Sequence, residues 1–168
     1  MHSRFSRSLL ATALLPLATF ACTTEPMPVP GSDPATEIFA TSLGVNLSQM
    51  TKVSNALYMQ DLVVGTGASA VTGNTLGVTY TGWLVSGVSF DSNVGKAVFS
   101  FPVGQGFVIG GWDQGLIGLK VGGKRRLIIG SDLGYGASGA GCAVGQTPTC
   151  SIPPNSTLVF DVQLLSIK

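Results

Sequence analysis

Apolar and polar residues alternate along residues 75–84, where Leu76, Val78 and Tyr80 are interleaved with threonines. A period of two is typical of a strand with one buried face, so this stretch predicts a strand with Tyr80 on the buried side. The same alternation recurs over residues 157–167. The inward positions predicted there are Leu158, Phe160, Val162 and Leu164.

A different spacing follows Gly110-Gly111, where Trp112, Leu116 and Leu119 recur at intervals of four and three. This spacing predicts a short helix with one apolar face, and Asp113 in its first turn suits the helix dipole. Further strands are predicted at 57–64, 98–103 and 124–129. The expected class is therefore α+β, with about five antiparallel strands and one short helix.

Composition supports one domain with a core, because 45% of the 168 residues are hydrophobic and 10% are charged. The 23 glycines punctuate the apolar segments, which favours strands and turns over long helices. We expect the folded domain over residues 56–168, after an arm at 37–55 in which apolar residues are scattered without a clean period.

The first 21 residues predict an export signal, with Arg4 and Arg7 followed by an apolar run at 9–20 and Ala21. That run is too short to span a bilayer comfortably, since a spanning helix needs about 20 apolar residues. Residues 22–36 contain four prolines and predict an extended tether.

Cys22 directly follows Ala21, and the segment resembles the lipobox of bacterial lipoproteins, in which this cysteine is lipidated. The alternative is ordinary signal cleavage, for which Thr19 and Ala21 supply the small residues. Lipidation of Cys22 would leave Cys142 and Cys150 as a pair, and exported proteins keep disulfides. We expect a structural disulfide between them and a location in the periplasm or outer membrane of a bacterium, with the only membrane contact through Cys22.

The inventory of side chains excludes several kinds of chemistry. The only histidine, His2, lies in the leader, so nothing after residue 21 can form Ser-His or Cys-His machinery or a histidine metal site. The remaining chain has seven basic and eight acidic residues, which predicts no attraction to nucleic acid. Residues 124–126, Lys-Arg-Arg, are interpreted as a solvated strand face. No metal and no cofactor are predicted.

An ordered set of motifs over residues 57–168 resembles the FKBP family of peptidyl-prolyl isomerases. The motifs are Val78-Thr-Tyr-Thr-Gly-Trp-Leu84, Phe90-Asp91-Ser92, Phe99-Ser-Phe101, Val103-Gly104, Val108-Ile109-Gly-Gly-Trp112, Asp132-Leu-Gly-Tyr135-Gly136, Ile152-Pro-Pro and Leu158-Val-Phe160-Asp161. Each motif alone is weak, but together they occur in order and almost without gaps.

The resemblance implies a curved antiparallel sheet wrapped around a short helix and an enzyme that isomerises X-Pro bonds. It implies catalytic roles for Tyr80, Asp91 and Tyr135. It implies substrate contacts from Phe90, Phe99, Val108, Ile109, Trp112, Ile152 and Phe160. The occupants of such a pocket would be proline-containing polypeptides and a macrolide inhibitor, and the chain would act as a monomer.

Two other functions stay open at this stage. The same fold could serve as a non-catalytic peptide-binding module or chaperone, or the chain could be a lipid-anchored surface protein that contacts another cell. Locally, Phe99, Val108 and Phe160 would be interpreted as core residues in any sheet protein. The chain also departs from the family pattern by inserting the loop 142–150, which predicts a flap over the pocket and leaves the substrate preference open.

Overall fold

The computed structural model describes residues 33–141 and 150–168. The predicted export signal, the lipidation site Cys22 and the disulfide partner Cys142 lie outside these residues, so these three features stay predictions. No helix among the described residues has the length and apolar character needed to cross a membrane.

Seven strands and one α-helix form the fold. The strands are β1 (Thr51–Ser54), β2 (Leu57–Val63), β3 (Thr75–Leu84), β4 (Ser89–Ser92), β5 (Phe99–Pro102), β6 (Lys124–Ile129) and β7 (Leu158–Ile167), and the helix is α1 (Gly110–Gly115). Short 3₁₀ turns occur at Pro34–Thr36, Thr41–Leu43, Leu47–Gln49, Ser131–Leu133 and Gly136–Ser138. The bounds predicted from the sequence for β3 and β6 are correct.

All neighbouring strands pair antiparallel, in the order β1-β2-β6-β7-β3-β4, and β5 pairs with the first half of β3. The predicted α+β class, a curved antiparallel sheet with a short helix, is confirmed. The sheet has seven strands rather than about five. The two additional strands, β1 and β4, are each four residues long and lie at the two ends of the strand order, and they are too short for a period-of-two pattern to reveal them.

The inner face of the sheet, which faces α1, carries the main core. Alternate residues of β7 supply it, and all four predicted inward positions of that strand are buried in it. Helix α1 lies close to the sheet because its glycines leave room: a Cβ on Gly111 would come within 2.5 Å of Ile129. Trp112 and Leu116 therefore reach into the core from the helix side.

The outer face of the sheet carries a second apolar cluster, covered by residues 39–50. The members of this outer cluster are Leu43, Met50, Tyr58, Ile128 and Val159, with Phe39, Ala40, Val45, Leu47 and Trp83 packed around them. The backbone N–H of Ala40 donates to the carbonyl of Val85 at 2.8 Å, which ties this segment to the end of β3. The segment thus shields the side of the sheet opposite α1.

The interpretation of residues 124–126 as a solvated face is wrong for both arginines. Arg125 is buried, binds Asp61 through two nitrogens at 2.6 and 3.1 Å, and donates to the carbonyls of Gly115, the last residue of α1, and Ile117, two residues beyond it. Arg126 pairs with Asp161 at 2.7 and 3.0 Å and donates to the carbonyl of Leu43. The two guanidinium groups therefore link strands, helix and N-terminal segment.

Candidate functional site

A pocket of about 420 Å³ opens between the inner face of the sheet, α1 and the loop that precedes α1. Its lining residues are Tyr80, Phe90, Asp91, Phe99, Gly106, Phe107, Val108, Ile109, Trp112, Tyr135 and Phe160. Concave, largely apolar sites with a few polar groups are the usual form of a ligand site. The structure thus brings together all of the predicted site residues except Ile152.

Trp112 is buried at the base of the pocket, among aromatic rings from three strands. Its ring meets Tyr80 and Phe160 edge to face, with centroids 5.0 and 5.3 Å apart. Phe90 meets Phe160 in the same way at 5.5 Å. Such edge-to-face contacts are favourable for aromatic quadrupoles, so they fix the orientation of each ring.

Gly82 in β3 makes this aromatic packing possible. A Cβ at Gly82 would lie 2.6 Å from the Phe90 ring and 2.7 Å from the Phe160 ring. Because real Cβ atoms do not approach other atoms so closely, any larger residue at this position would push the two rings apart. The glycine therefore permits the aromatic wall of the pocket.

The polar centre of the pocket is a hydrogen bond between Tyr80 and Asp91. The Tyr80 hydroxyl donates to a carboxylate oxygen of Asp91 at 2.6 Å. Burial, the hydrogen bond and the negative charge of Asp91 together raise the pKa of the Tyr80 phenol well above its usual value. Tyr80 is therefore a neutral donor throughout the physiological pH range.

Asn93, which is buried beside this pair, holds Tyr80 through its backbone. Its side-chain oxygen accepts from the Tyr80 N–H at 2.7 Å, while its side-chain nitrogen donates to the carbonyls of Val78 and Ala97, each at 3.1 Å. These bonds continue the hydrogen bonding of β3 across the gap between β4 and β5. They fix the strand from which Tyr80 reaches Asp91.

Tyr135 lies at the mouth of the pocket, just after the 3₁₀ turn 131–133, and is 39% exposed. Partial burial and the negative charge of Asp91 raise the pKa of its phenol. Tyr135 therefore also stays protonated and can donate a hydrogen bond to a ligand oxygen. Of the aromatic residues predicted for the site, Tyr135 is the one whose presence packing explains least, as expected for a functional group.

Ile109 contributes a backbone donor to the pocket wall. It precedes α1, and its carbonyl accepts the N–H groups of Trp112 and Asp113. Within the described residues, its own N–H has no hydrogen-bond partner. The start of α1 thus presents a donor suited to a ligand carbonyl.

Two lining residues, Gly106 and Phe107, were missed by sequence analysis. Phe107 is 70% exposed at the rim of the pocket. The motifs that carry the resemblance, Val103-Gly104 and Val108-Ile109-Gly-Gly-Trp112, lie on either side of these two residues and do not include them. The sequence did contain a signal for Phe107, an aromatic residue inside the glycine-rich stretch 104–111. No strand or helix pattern there predicts its burial, and an exposed aromatic residue suggests a binding surface.

Ile152, predicted to contact substrate, has another location in the structure. It is 4% exposed, packs within the inner core, and is not among the residues that line the pocket. Its backbone pairs with that of Ala140 through two hydrogen bonds of 2.9 and 3.0 Å. Ile152 therefore closes the base of the inserted loop rather than the pocket itself.

The described residues contain no group of three or more histidine, cysteine, aspartate or glutamate side chains arranged to hold a metal ion. The pocket offers instead a carboxylate, two phenols and a backbone N–H within an aromatic lining. This arrangement can bind a neutral, partly apolar group through hydrogen bonds to its oxygens. It has no nucleophile paired with a base.

Residues 67–165 match the sequence model of the family described as FKBP-type peptidyl-prolyl cis-trans isomerase. The FK506-binding protein of Neisseria meningitidis serogroup A is 45% identical over 113 residues, which cover 67% of this chain and 96% of that protein. FK506-binding protein 4 of Rhizopus delemar is 46% identical over 120 residues, 71% of this chain. The match spans only 29% of that longer relative.

A solved structure supports the same relationship. The crystal structure of a peptidyl-prolyl cis-trans isomerase from Pseudomonas syringae pv. tomato aligns with a TM-score of 0.60 and 31% sequence identity. The alignment covers 71% of this chain and 81% of that chain. The two proteins are therefore similar in both fold and amino-acid sequence.

Proposed function

The chain belongs to the FKBP-type peptidyl-prolyl cis-trans isomerase family, and on this premise we propose that it isomerises X-Pro bonds of exported or envelope proteins. The observation that carries the proposal is the aromatic pocket around Trp112, in which Tyr80, Asp91 and Tyr135 are the polar side chains. Members of the family are peptidyl-prolyl isomerases, and this pocket has the groups that such a reaction needs.

The reaction rotates a C–N bond without breaking it. Amide resonance opposes rotation by about 18–20 kcal/mol, and the resonance form is dipolar. The twisted transition state has lost much of this dipole, so a pocket that excludes water disfavours the planar ground state more than the twisted state. The aromatic wall formed by Trp112, Phe160 and Phe90 supplies this environment.

Hydrogen bonds orient the peptide during rotation. Tyr135 and the Ile109 N–H are the donors for substrate carbonyls, since each lines the pocket and each is able to donate. Asp91 places a negative charge beside the reacting amide, and Tyr80 fixes the position of that carboxylate. Positioning of this kind contributes to the rate by holding the proline ring in one orientation. No covalent intermediate and no proton transfer are required.

A peptide assay tests the proposal directly. The cis-to-trans rate of a short peptide with one X-Pro bond is measured with wild type, Asp91→Ala and Tyr135→Phe, and with Asp132→Asn as an exposed aspartate control. We expect catalysis by wild type and by the control, and about a tenfold loss of kcat/KM in each pocket variant, the effect of about 1.4 kcal/mol. An uncatalysed rate in folded wild type would favour the non-catalytic peptide-binding module or chaperone.

We also propose that the same pocket binds a macrolide, since the relatives from Neisseria meningitidis and Rhizopus delemar are FK506-binding proteins. FK506 should compete with the peptide in the assay. If FK506 binds without slowing isomerisation of the peptide, the macrolide site lies outside this pocket.

For location, the proposal is that the chain is exported to the periplasm or outer membrane and anchored through a lipid on Cys22. Its clients would then be exported proteins whose proline isomerisation otherwise takes tens of seconds. Metabolic labelling with a radioactive fatty acid should mark wild type but not Cys22→Ala. Wild type without label would contradict the anchor and leave the isomerase proposal intact.

A further inference from the structure

The loop at residues 104–109 forms one wall of the pocket and ends at α1. It supplies Gly106, Phe107, Val108 and Ile109 to the lining. At its start, the Val103 N–H donates to the carbonyl of Asn74, which ties the beginning of the loop to the residue that precedes β3. At its other end, the Ile109 carbonyl accepts the first hydrogen bonds of α1. Between these two ends, four pocket residues depend on how the loop is held.

Asp113 holds the middle of this loop. One carboxylate oxygen accepts the N–H of Gly104 at 2.8 Å, and the other accepts the N–H of Gly106 at 2.7 Å. Among the described residues, Asp113 provides the only side chain that accepts a hydrogen bond from the backbone N–H groups of residues 104–108. The carboxylate is thus the side-chain anchor of the loop.

The backbone of the loop is shaped for this contact. Gly104 and Gly106 have φ values of +75° and +74°, a left-handed conformation that glycine adopts at low cost. This conformation turns their N–H groups toward one carboxylate. Hydrogen bonds from backbone N–H groups to an ionised acceptor are stronger than neutral ones, so the pair firmly restrains a loop that contains two glycines.

A favourable interaction with the helix dipole would explain why position 113 is acidic, but it would not explain the two hydrogen bonds that the Asp113 carboxylate accepts from the loop. Asp113 lies in the first turn of α1, one residue after the pocket base Trp112. A residue serving only the dipole would have no need to bind two N–H groups of a preceding loop. The two bonds connect the pocket base, on α1, with the pocket wall, on the loop.

We propose that Asp113 is a positioning residue of the isomerase site. Its carboxylate holds the loop in the conformation that presents Phe107, Val108 and the Ile109 N–H to a proline-containing peptide. This inference rests on the proposed function and adds to it a residue that does not line the pocket. A wall fixed before binding costs less entropy when the peptide binds, so the effect should fall on affinity.

Asp113→Asn tests the inference because it keeps the shape but offers only one acceptor oxygen. We expect the KM for a short Leu-Pro peptide to rise about tenfold while kcat changes less than about twofold, the pattern of lost ground-state binding. Amide hydrogen exchange followed by NMR should become at least about tenfold faster at Gly104 and Gly106, since each opening of the loop exposes them. Asp132→Asn should change none of these values.

Each alternative result is decisive. Equal fall of kcat and kcat/KM in Asp113→Asn, or unchanged exchange at the two glycine amides, would overturn the positioning role. If the variant fails to fold, wild type alone provides the test: Gly104 and Gly106 amides that exchange as fast as free peptide amides would also overturn it. Wild type that neither binds nor isomerises the peptide would instead refute the proposed function, because the exchange measurement does not depend on activity.

Discussion

Both faces of the sheet are apolar, but they differ in how fully other parts of the protein cover them. On the outer face, the cluster around Tyr58, Ile128 and Val159 is covered by the protein's own residues 39–50. On the inner face, α1 covers the core, yet the aromatic rings beside it leave a pocket of about 420 Å³. The same strands thus carry a covered apolar cluster on one face and an open pocket on the other.

The difference lies in the residues that surround each cluster. The outer cluster is enclosed by three aliphatic side chains together with Phe39 and Trp83, and it is fastened by Arg126, which binds both Asp161 and the carbonyl of Leu43. The pocket is enclosed by rigid rings held edge to face, which cannot collapse into the space between them. We infer that the outer face serves stability and that the pocket serves binding, so substitutions on the two faces should separate these properties.

The largest expected effect is on stability, from Leu43→Ala in the segment that covers the outer face. Leu43 is buried there, and truncating a buried leucine to alanine costs about 2–5 kcal/mol of unfolding free energy. Urea unfolding should show this loss, while kcat/KM for an X-Pro peptide stays at the wild-type value.

Ile38→Ala provides the matched control for Leu43→Ala. Ile38 directly precedes the same segment but is 91% exposed, so its truncation should leave the unfolding free energy within about 0.5 kcal/mol of wild type. Loss of activity in folded Leu43→Ala would show that the two faces are coupled.

Tyr80→Phe should have the opposite profile. It removes the hydroxyl that fixes Asp91 at 2.6 Å, and one hydrogen bond to a charged group is worth about 1.5–3 kcal/mol. We expect kcat/KM to fall about tenfold or more. The unfolding free energy should change little, because Asp91 is exposed and water can replace the lost partner.

The outer face offers a matched tyrosine. Tyr58→Phe removes a hydroxyl from the outer cluster and should leave kcat/KM unchanged, since Tyr58 lies on the opposite side of the sheet from the pocket. Equal activity loss in Tyr58→Phe and Tyr80→Phe would contradict the division between the faces.

A smaller effect is expected from Phe107→Ala at the pocket rim. Phe107 is 70% exposed, so its ring contributes little to folding, but it can cover apolar parts of a bound peptide. We expect about a threefold weaker peptide affinity by NMR titration and an unchanged midpoint of thermal unfolding. Val88→Ala, also exposed but outside the pocket lining, should change neither quantity; unaltered affinity in Phe107→Ala would assign the rim no part in binding.

Features that depend on neighbouring residues in the sequence were predicted well, whereas features that depend on contacts between distant residues were not. The signals in residues 75–84, where apolar and polar residues alternate, and in residues 124–129 are local, and both strands were predicted with correct bounds. The environment of Arg125 and Arg126 is not local: their partners Asp61 and Asp161 are 64 and 35 residues away. Because pairing of distant strands created these contacts, three adjacent charges looked like a solvated face.

The pocket shows the same limit. The ordered motifs predicted its aromatic residues, whereas Phe107 was missed and Ile152 was predicted to line a pocket from which its side chain is absent. Ile152 instead pairs with Ala140, a contact that its own motif does not predict. Asn93 carries no motif, and its role follows only from the gap between β4 and β5 that its side chain bridges.

The smallest expected effect is a change of stability in alkaline solution, and it arises from Tyr80 on the pocket face. The pKa of Tyr80 is raised by burial first and by Asp91 second, so the unfolded chain releases this proton at lower pH than the folded protein. Below about pH 10 both states keep the proton and the contribution of Tyr80 is fully present. Above that pH the unfolded state ionises first, and the free energy of unfolding decreases. Urea unfolding from about pH 8 to 11 should therefore show a shallower alkaline decrease for Tyr80→Phe than for wild type; identical slopes would mean that Tyr80 does not hold its proton more tightly in the folded protein.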